Sequence, residues 1–388
     1  MRNKIIYITT LLPYPLDMGG KIKTFSTLKQ LAKKDDVYFF SFVDKRKDII
    51  YEKELKDIGV KQCVTVVSPV IAQKHRLIQL MILLMSVFSS KPYSVYKYFN
   101  KKMSDEIDKF LKKNKTDIIW VDHTIQTQYW PKNFKGLKIL ETHNYKTDFF
   151  KNMFLTESNL FYKIFSFYEW LKFKFYEPVE LRKASLVFAI SKDEKKKIER
   201  FNKNVKVLFP NIKITDNIGK FGTKKLFFVG LLTWYPNKQG VSWFVEEVFP
   251  DLKKEIPEIT LDVVGDYYYK WRIPKYNGVK LHGYIKDIKN FWKDASIFIV
   301  PLWYGSGIRI KILEALANGI PVVSTSAGAE GLPAVIKEKI FIKDSKEEII
   351  NVVKKLCKNK NLYLNYAREG KKILNSLENL KLNDILKN

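Results

Sequence analysis

Short β-rich apolar runs alternate along the chain with longer segments of helical length, the pattern of a parallel sheet with crossover helices. In the first half the runs fall near 5–9, 37–42, 62–66, 117–121, 137–141 and 186–190. After Pro210 the alternation restarts, with runs near 225–229, 260–264, 279–282, 297–300, 321–324 and 339–342. Each half therefore reads as a doubly wound α/β unit. Between them, 211–223 replaces apolar periodicity with glycines and polar residues, so a hinge-like linker with few long-range contacts is expected there.

The length of 388 residues agrees with two domains of roughly 150 to 200 residues each. A hydrophobic content of 46% can fill two cores, which excludes a disordered class. Cys63 and Cys357 lack the spacing of a zinc site and read as reduced thiols. The opening run IIYITT is strand-like rather than a cleavable signal, which points to a cytoplasmic location.

Lys and Arg number 69 against 41 Asp and Glu, a net charge of +28 that favours acidic partners: nucleic acid, anionic lipid or sugar nucleotides. Lysines scattered along helices read more simply as solvated surface. Two segments carry membrane chemistry. Residues 77–88, LIQLMILLMSVF, are strongly apolar but too short for a span of roughly twenty residues, so a buried or interfacial helix is expected. Residues 149–176 mix lysine with aromatics, among them Phe161, Phe167, Trp170 and Phe175. This is either a long core helix with an aromatic face or a helix resting on anionic headgroups.

The densest chemistry lies in 300–332, VPLWYGSGIRIKILEALANGIPVVSTSAGAEGL, which reads strand, glycine loop, helix, strand, glycine loop. Gly305 and Gly307 permit a tight turn with outward amides, and a helix over about 308–318 aims its positive end at that turn. Such a turn, from Gly305 through Ser306 and Gly307 to Ile308, can cradle a diphosphate. Arg309 and Lys311 fall in the first turn, where cations are unfavourable unless an anion binds beside them. Glu314, one turn on, can accept hydrogen bonds from sugar hydroxyls. An ordinary helix salt bridge among the three is the alternative.

This segment resembles the donor site of the retaining glycosyltransferases of family 4, the glycosyl transferases group 1, which have the GT-B fold. The resemblance implies two Rossmann-like domains facing a cleft: acceptor-binding over 1–212 and nucleotide-sugar-binding over 213–361. A final helix, 362–388, would pack back on the first. It assigns the ribose hydroxyls to Glu314 and the diphosphate to the loop amides with Arg309 and Lys311. FVGLLTWYPNKQGVSW, 228–243, resembles the second phosphate loop and adds Gly230 and Asn237. HGYIKD, 282–287, resembles the base-reading loop and adds Tyr284 and Ile285. Two departures stand out. Ser306 occupies the place of a glutamate that contacts the donor sugar in many members, so the sugar is not named. Leu231 occupies that of a basic residue, with Lys238 displaced.

In the first half, PYPLDMGGK, 13–21, resembles the N-terminal glycine loop, putting Gly20 on the donor side and Gly19 on the acceptor side. A plain turn explains a glycine pair equally. His143 in ETHN matches a cleft histidine of the family, and Asp122 and His123 close the preceding strand on the acceptor side. Ligands of open α/β sheets gather beyond the carboxyl ends of strands, where all three fall. SKDE, 191–194, and PNI, 210–212, resemble the end of the first domain and are expected to cap helices and set the hinge.

The implied reaction moves a sugar from a nucleoside-diphosphate-sugar donor to an acceptor hydroxyl with retention. Arg309, Lys311 and His143 would be catalytic, and the leaving phosphate would take the proton. No cofactor is expected, and no metal, since no DxD triad or histidine cluster is visible. The expected acceptor is a lipid-linked, protein-linked or free glycan of cell-surface polysaccharide or glycoconjugate synthesis. The anionic inner face of the plasma membrane is a further expected partner, with no specific nucleic acid. The rival readings are a sugar-nucleotide epimerase on the same scaffold and a polyanion-binding protein. For the latter no RNP, KH or helix-turn-helix signature is present.

Overall fold

A computed structural model describes residues 2–16, 19–43, 46–68, 76–157, 159–210, 212–267, 276–304 and 308–377. Contacts divide it into two compact units, one built mainly from the chain up to Leu208 and one mainly from Phe209 onward.

The first unit is a seven-stranded sheet of β1 (Lys4–Ile8), β2 (Asp36–Val43), β3 (Gln62–Val67), β4 (Ile118–Asp122), β5 (Leu137–Glu141), β6 (Leu186–Ala189) and β7 (Val205–Val207). All strands pair in parallel, in the order β3-β2-β1-β4-β5-β6-β7. Central β1 has no solvent-facing side: Ile5, Ile6, Tyr7 and Ile8 are fully buried, as a strand covered by helices on both faces requires. Sequence reading anticipated six of these strands. It missed β7, whose three residues, VKV, are too few to show a period.

The second unit holds six parallel strands, β8 (Lys225–Val229), β9 (Thr260–Val264), β10 (Val279–Gly283), β11 (Ile297–Val300), β12 (Val322–Ser324) and β13 (Phe341–Ile342), in the order β10-β9-β8-β11-β12-β13. This repeats the first unit's connectivity. Strand order reverses between β1 and β4 and between β8 and β11, and the loops beyond those carboxyl ends are where this architecture binds ligands.

The expected linker is less free than its composition suggests. Within 212–223, Thr215 N bonds to Ala317 O, Gly219 N to Gly319 O and Lys220 N to Ala295 O, so the segment is laced onto the second unit. Its glycine content serves packing: a Cβ on Gly219 would lie 2.6 Å from the Tyr363 hydroxyl and 2.9 Å from Gly319 O. The last described helix, Lys360–Leu377, packs on Ile310–Ala317 and Lys346–Lys358 of its own unit. The rest of the segment expected to return to the first unit, 378–388, lies outside the described residues.

Ser191 caps the helix Lys192–Ile198 by accepting from Glu194 N at 3.1 Å, as SKDE suggests. Both cysteines are free, Cys357 buried and Cys63 half-buried. The apolar segment forms the helix Arg76–Val87, and the aromatic one forms Lys146–Thr156 and Leu160–Lys183. Among the described residues no helix is long and apolar enough to cross a membrane.

Candidate nucleotide-sugar site

In the second unit the chemistry gathers beyond β8 and β11. The helix Ile310–Ala317 is amphipathic, with Ile312, Leu313, Leu316 and Ala317 buried, which turns Lys311 and Glu314 to the opposite, half-buried side. Arg309 was expected in the first helical turn. It occupies the N-cap position instead, with extended backbone. Its guanidinium lies 5.8 Å from the Trp234 ring centre and is almost fully buried. Burial pulls Arg309 down to about 10, opposed by Glu330, so it stays cationic at neutral pH.

Lys311 is held from two sides. Its ammonium donates to Asn237 Oδ1 at 2.9 Å and sits 4.2 Å from the Phe228 ring centre. Asn237, buried in the first turn of the helix Tyr235–Trp243, is itself fixed by a 2.8 Å bond from Nδ2 to Leu231 O. Burial, then neighbouring Arg309, pulls Lys311 down to about 7, with Glu314 opposing. Burial pushes Glu314 up to about 7, with Lys311 opposing. No salt bridge closes among Arg309, Lys311 and Glu314 within the described residues. The ordinary helix salt bridge is therefore not what this geometry shows. Arg309 and Lys311 crowd one end of the helix, each at a cost in desolvation.

Gly230 makes room for that lysine: a Cβ there would lie 2.5 Å from Lys311 Nζ and 2.8 Å from Asn237 Nδ2. Gly265, after β9, went unnoticed in the sequence. With φ of +152° and a hypothetical Cβ 1.9 Å from Gly230 O, it lets the β9 turn pack against the Gly230 backbone. Tyr284 and Ile285 directly follow β10, Tyr284 exposed and Ile285 half-buried. Preceding them, His282 Nε2 contacts Asp262 Oδ1 at 2.6 Å on the neighbouring strand. Ile308 is buried before the helix. Gly305, Ser306 and Gly307 lie outside the described residues.

In the first unit the carboxyl ends of β1, β4 and β5 hold a buried polar network. Asp122 Oδ2 accepts from Thr9 Oγ1 at 2.8 Å and Thr24 Oγ1 at 2.6 Å, leaving Oδ1 2.5 Å from His143 Nε2. The rings of His143 and His123 lie 3.8 Å apart between centres. His123 has a positive φ of 82°, a strain of about 1–3 kcal/mol for a non-glycine residue, and its N–H is anchored to Glu141 O at 2.9 Å. Burial holds both imidazoles well below the usual histidine range. His143 adds to this for His123, and Lys23 for His143, so both rings are neutral at pH 7. Candidate ligand atoms of Asp122, His123 and His143 lie within 4.8 Å of one another, a histidine cluster that the sequence did not reveal. Gly20, in the helix Gly19–Leu31, leaves space beside His143, since a Cβ there would lie 3.5 Å from Nδ1.

A second feature escaped sequence reading. Lys23 is buried, 3.0 Å from Glu141 Oε1 and bonded to Thr142 O at 2.8 Å. Glu141 also accepts from Trp120 Nε1 at 2.9 Å, Tyr7 Oη at 3.2 Å and Thr27 Oγ1 at 3.2 Å. The pair fixes the turn that carries His143. Among 69 basic residues nothing marks Lys23 as internal.

Residues 223–359 match the family described as Glycosyl transferases group 1. A 44.6 kDa protein from the cps region of Klebsiella pneumoniae is 29% identical over 247 residues, 59% of this chain and 62% of its own length. The chain thus spans less than two thirds of that relative. Among solved structures, HepE of Anabaena, determined with UDP and glucose, superposes with a TM-score of 0.64 at 12% identity, covering 100% of both chains. TarM of S. aureus, determined with UDP among other ligands, gives 0.67 at 12% identity over 99% of this chain and 98% of that one. The two parallel-sheet units have the GT-B fold of these solved structures.

Proposed function

We propose that the protein is a glycosyltransferase that uses a nucleoside-diphosphate sugar, bound in the second unit, to glycosylate an acceptor hydroxyl with retention. The observation that carries this reading is the pair Arg309 and Lys311, two buried or half-buried cations at the β8/β11 switch point of a glycosyl transferases group 1 domain. Both neutralise the diphosphate as it leaves, the preorganised electrostatic contribution that usually dominates catalysis. Glu314 binds the ribose hydroxyls. Gly230 and Asn237 position Lys311, and Tyr284 and Ile285 flank the base. The UDP bound by HepE and TarM supports a uridine nucleotide.

The first unit serves the acceptor, a glycan or lipid-linked glycan of surface polysaccharide synthesis, a reading that the cps-region relative supports. His143, neutral and oriented by Asp122, offers Nδ1 to a sugar hydroxyl on the Gly20 side. The leaving diphosphate takes the acceptor proton. Thermal-shift measurements with UDP, GDP and ADP test the donor half. One nucleoside diphosphate stabilises the chain, whereas tight nucleic-acid binding with no nucleotide effect would replace this reading with polyanion binding.

A further inference from the structure

The helix Leu160–Lys183 is inside out. Its buried stripe carries Ser166, Glu169, Phe173, Glu177 and Leu181, whereas Leu160, Ile164, Phe167, Leu171, Phe175 and Val179, at the same helical spacing, face solvent. The buried acids are occupied. Glu169 accepts from Tyr93 N at 2.7 Å and Ser94 N at 3.0 Å, and Glu177 from Lys146 N at 2.9 Å and Thr147 N at 2.8 Å. They hold the starts of two other helices while the apolar side chains are left in water.

The neighbouring helix Arg76–Val87 is inverted in the same way. Ser86 is fully buried, with Oγ 2.9 Å from Tyr168 Oη, while Met81, Leu84, Met85 and, just beyond the helix, Phe88 are exposed at i, i+3, i+4 and i+7, Phe88 by 93%. Lys172 Nζ donates to Val87 O at 3.2 Å, so polar contacts join the two helices. Ten large apolar side chains, each exposed by at least 40%, leave on the order of 1,000 Å² of apolar surface, against about 300–600 Å² for the largest patch on an ordinary monomer.

Within the aromatic segment the exposed charge has one sign. Within 149–176 the acids are Glu157 and Glu169, both buried, whereas Lys151 and Lys174 are exposed. Lys163 and Lys172 lie over the rings of Phe154 and Tyr168 at 5.7 and 5.6 Å, their stems on apolar surface. Apolar side chains flanked by cations fit a bilayer with anionic headgroups, and a second copy of the same face would bring like charges together.

We propose that these two helices form a docking face on which the first unit rests on an anionic lipid bilayer, with the exposed apolar stripes among the acyl chains and the lysines at the headgroup phosphates. The inference stands on exposure and charge, separately from the proposed reaction. The full chain is sedimented with phosphatidylcholine vesicles with and without phosphatidylglycerol. Binding should require phosphatidylglycerol and weaken with salt. It should fall at least tenfold in the Ile164→Glu/Phe175→Glu variant and clearly in Lys151→Glu/Lys174→Glu, with circular dichroism and nucleotide thermal shift unchanged in both.

Absence of vesicle binding overturns the proposal, as does equal binding to both vesicle types. A wild-type dimer that Ile164→Glu/Phe175→Glu dissociates, without vesicle binding, assigns the face to a second copy instead. Vesicle binding without any nucleotide response would count against the proposed function alone.

Discussion

Replacing Lys311 by Met should make the second unit more stable and a worse nucleotide binder. Methionine keeps the apolar stem over Phe228 and removes the charge. Lys311 falls from 10.5 to about 7, chiefly by burial. At about 1.4 kcal/mol per unit of pKa, full burial corresponds to about 4–5 kcal/mol. The side chain is only half-buried and its charge is offset by Glu314, which reduces this to about 1–3 kcal/mol.

The direction follows from proton counting. Between about pH 7 and 10.5 the unfolded lysine is protonated and the folded one is not, so the penalty is fully present below pH 7 and disappears as pH rises towards 10.5. At pH 7.5 the Met variant should therefore melt about 3–10 °C higher, with a flatter stability profile above pH 7. Its affinity for the nucleoside diphosphate should fall roughly 10- to 150-fold, the loss of about 1.5–3 kcal/mol for a charge-assisted hydrogen bond.

The same lysine gives the binding reaction a proton signature. At pH 8 a group titrating near 7 is about nine-tenths neutral, and a diphosphate beside it restores the charge, so binding takes up as much as about 0.9 proton. Calorimetry in buffers of different ionisation heat reads this uptake, which Lys311→Met should abolish. A Met variant that melts lower yet binds as tightly, or wild-type binding at pH 8 without proton uptake, would refute the reasoning.

Glu314→Gln should reduce the preference for UDP over 2′,3′-dideoxy-UDP by about tenfold or more, measured as a ratio of Kd values, because a neutral amide gives up the charge-assisted bonds to ribose. Gly230→Ala pushes on the ends of the Lys311 and Asn237 side chains. It should weaken UDP binding about tenfold with little change in Tm, whereas Gly265→Ala meets the Gly230 backbone and should destabilise the unit outright. Lys23→Met should cost about 3–5 kcal/mol in urea unfolding by leaving Glu141 buried without its cation. His143→Gln should lower kcat while leaving UDP affinity within about twofold. Because burial keeps His143 neutral, the wild-type rate should show no step from this group between pH 6 and 8.

Long apolar runs were the most legible part of the chain. Central strands such as β1 and β8 are covered on both faces, and that burial writes itself into sequence as IIYI and LFF. Strand β7 left no such trace. The loop–helix segment carrying Arg309, Lys311 and Glu314 was readable because cations at a helix start contradict the local electrostatics. What joins them to Asn237 and Phe228 was not, since those contacts span more than seventy positions. Lys23 and Gly265 were invisible for the same reason. The aromatic helix misled in a different way: periodicity reveals an apolar stripe but not which side of the helix faces water, and here the acids went inside.

The central claim is tested most directly by incubating the chain with UDP-, GDP- and ADP-sugars and following release of the nucleoside diphosphate, alongside Lys311→Ala and Glu314→Ala. The account predicts slow hydrolysis of a donor from one nucleotide class by the wild type, nearly lost in both variants while their circular dichroism is unchanged. Hydrolysis of no donor at all, or wild-type rates in both variants, would contradict it.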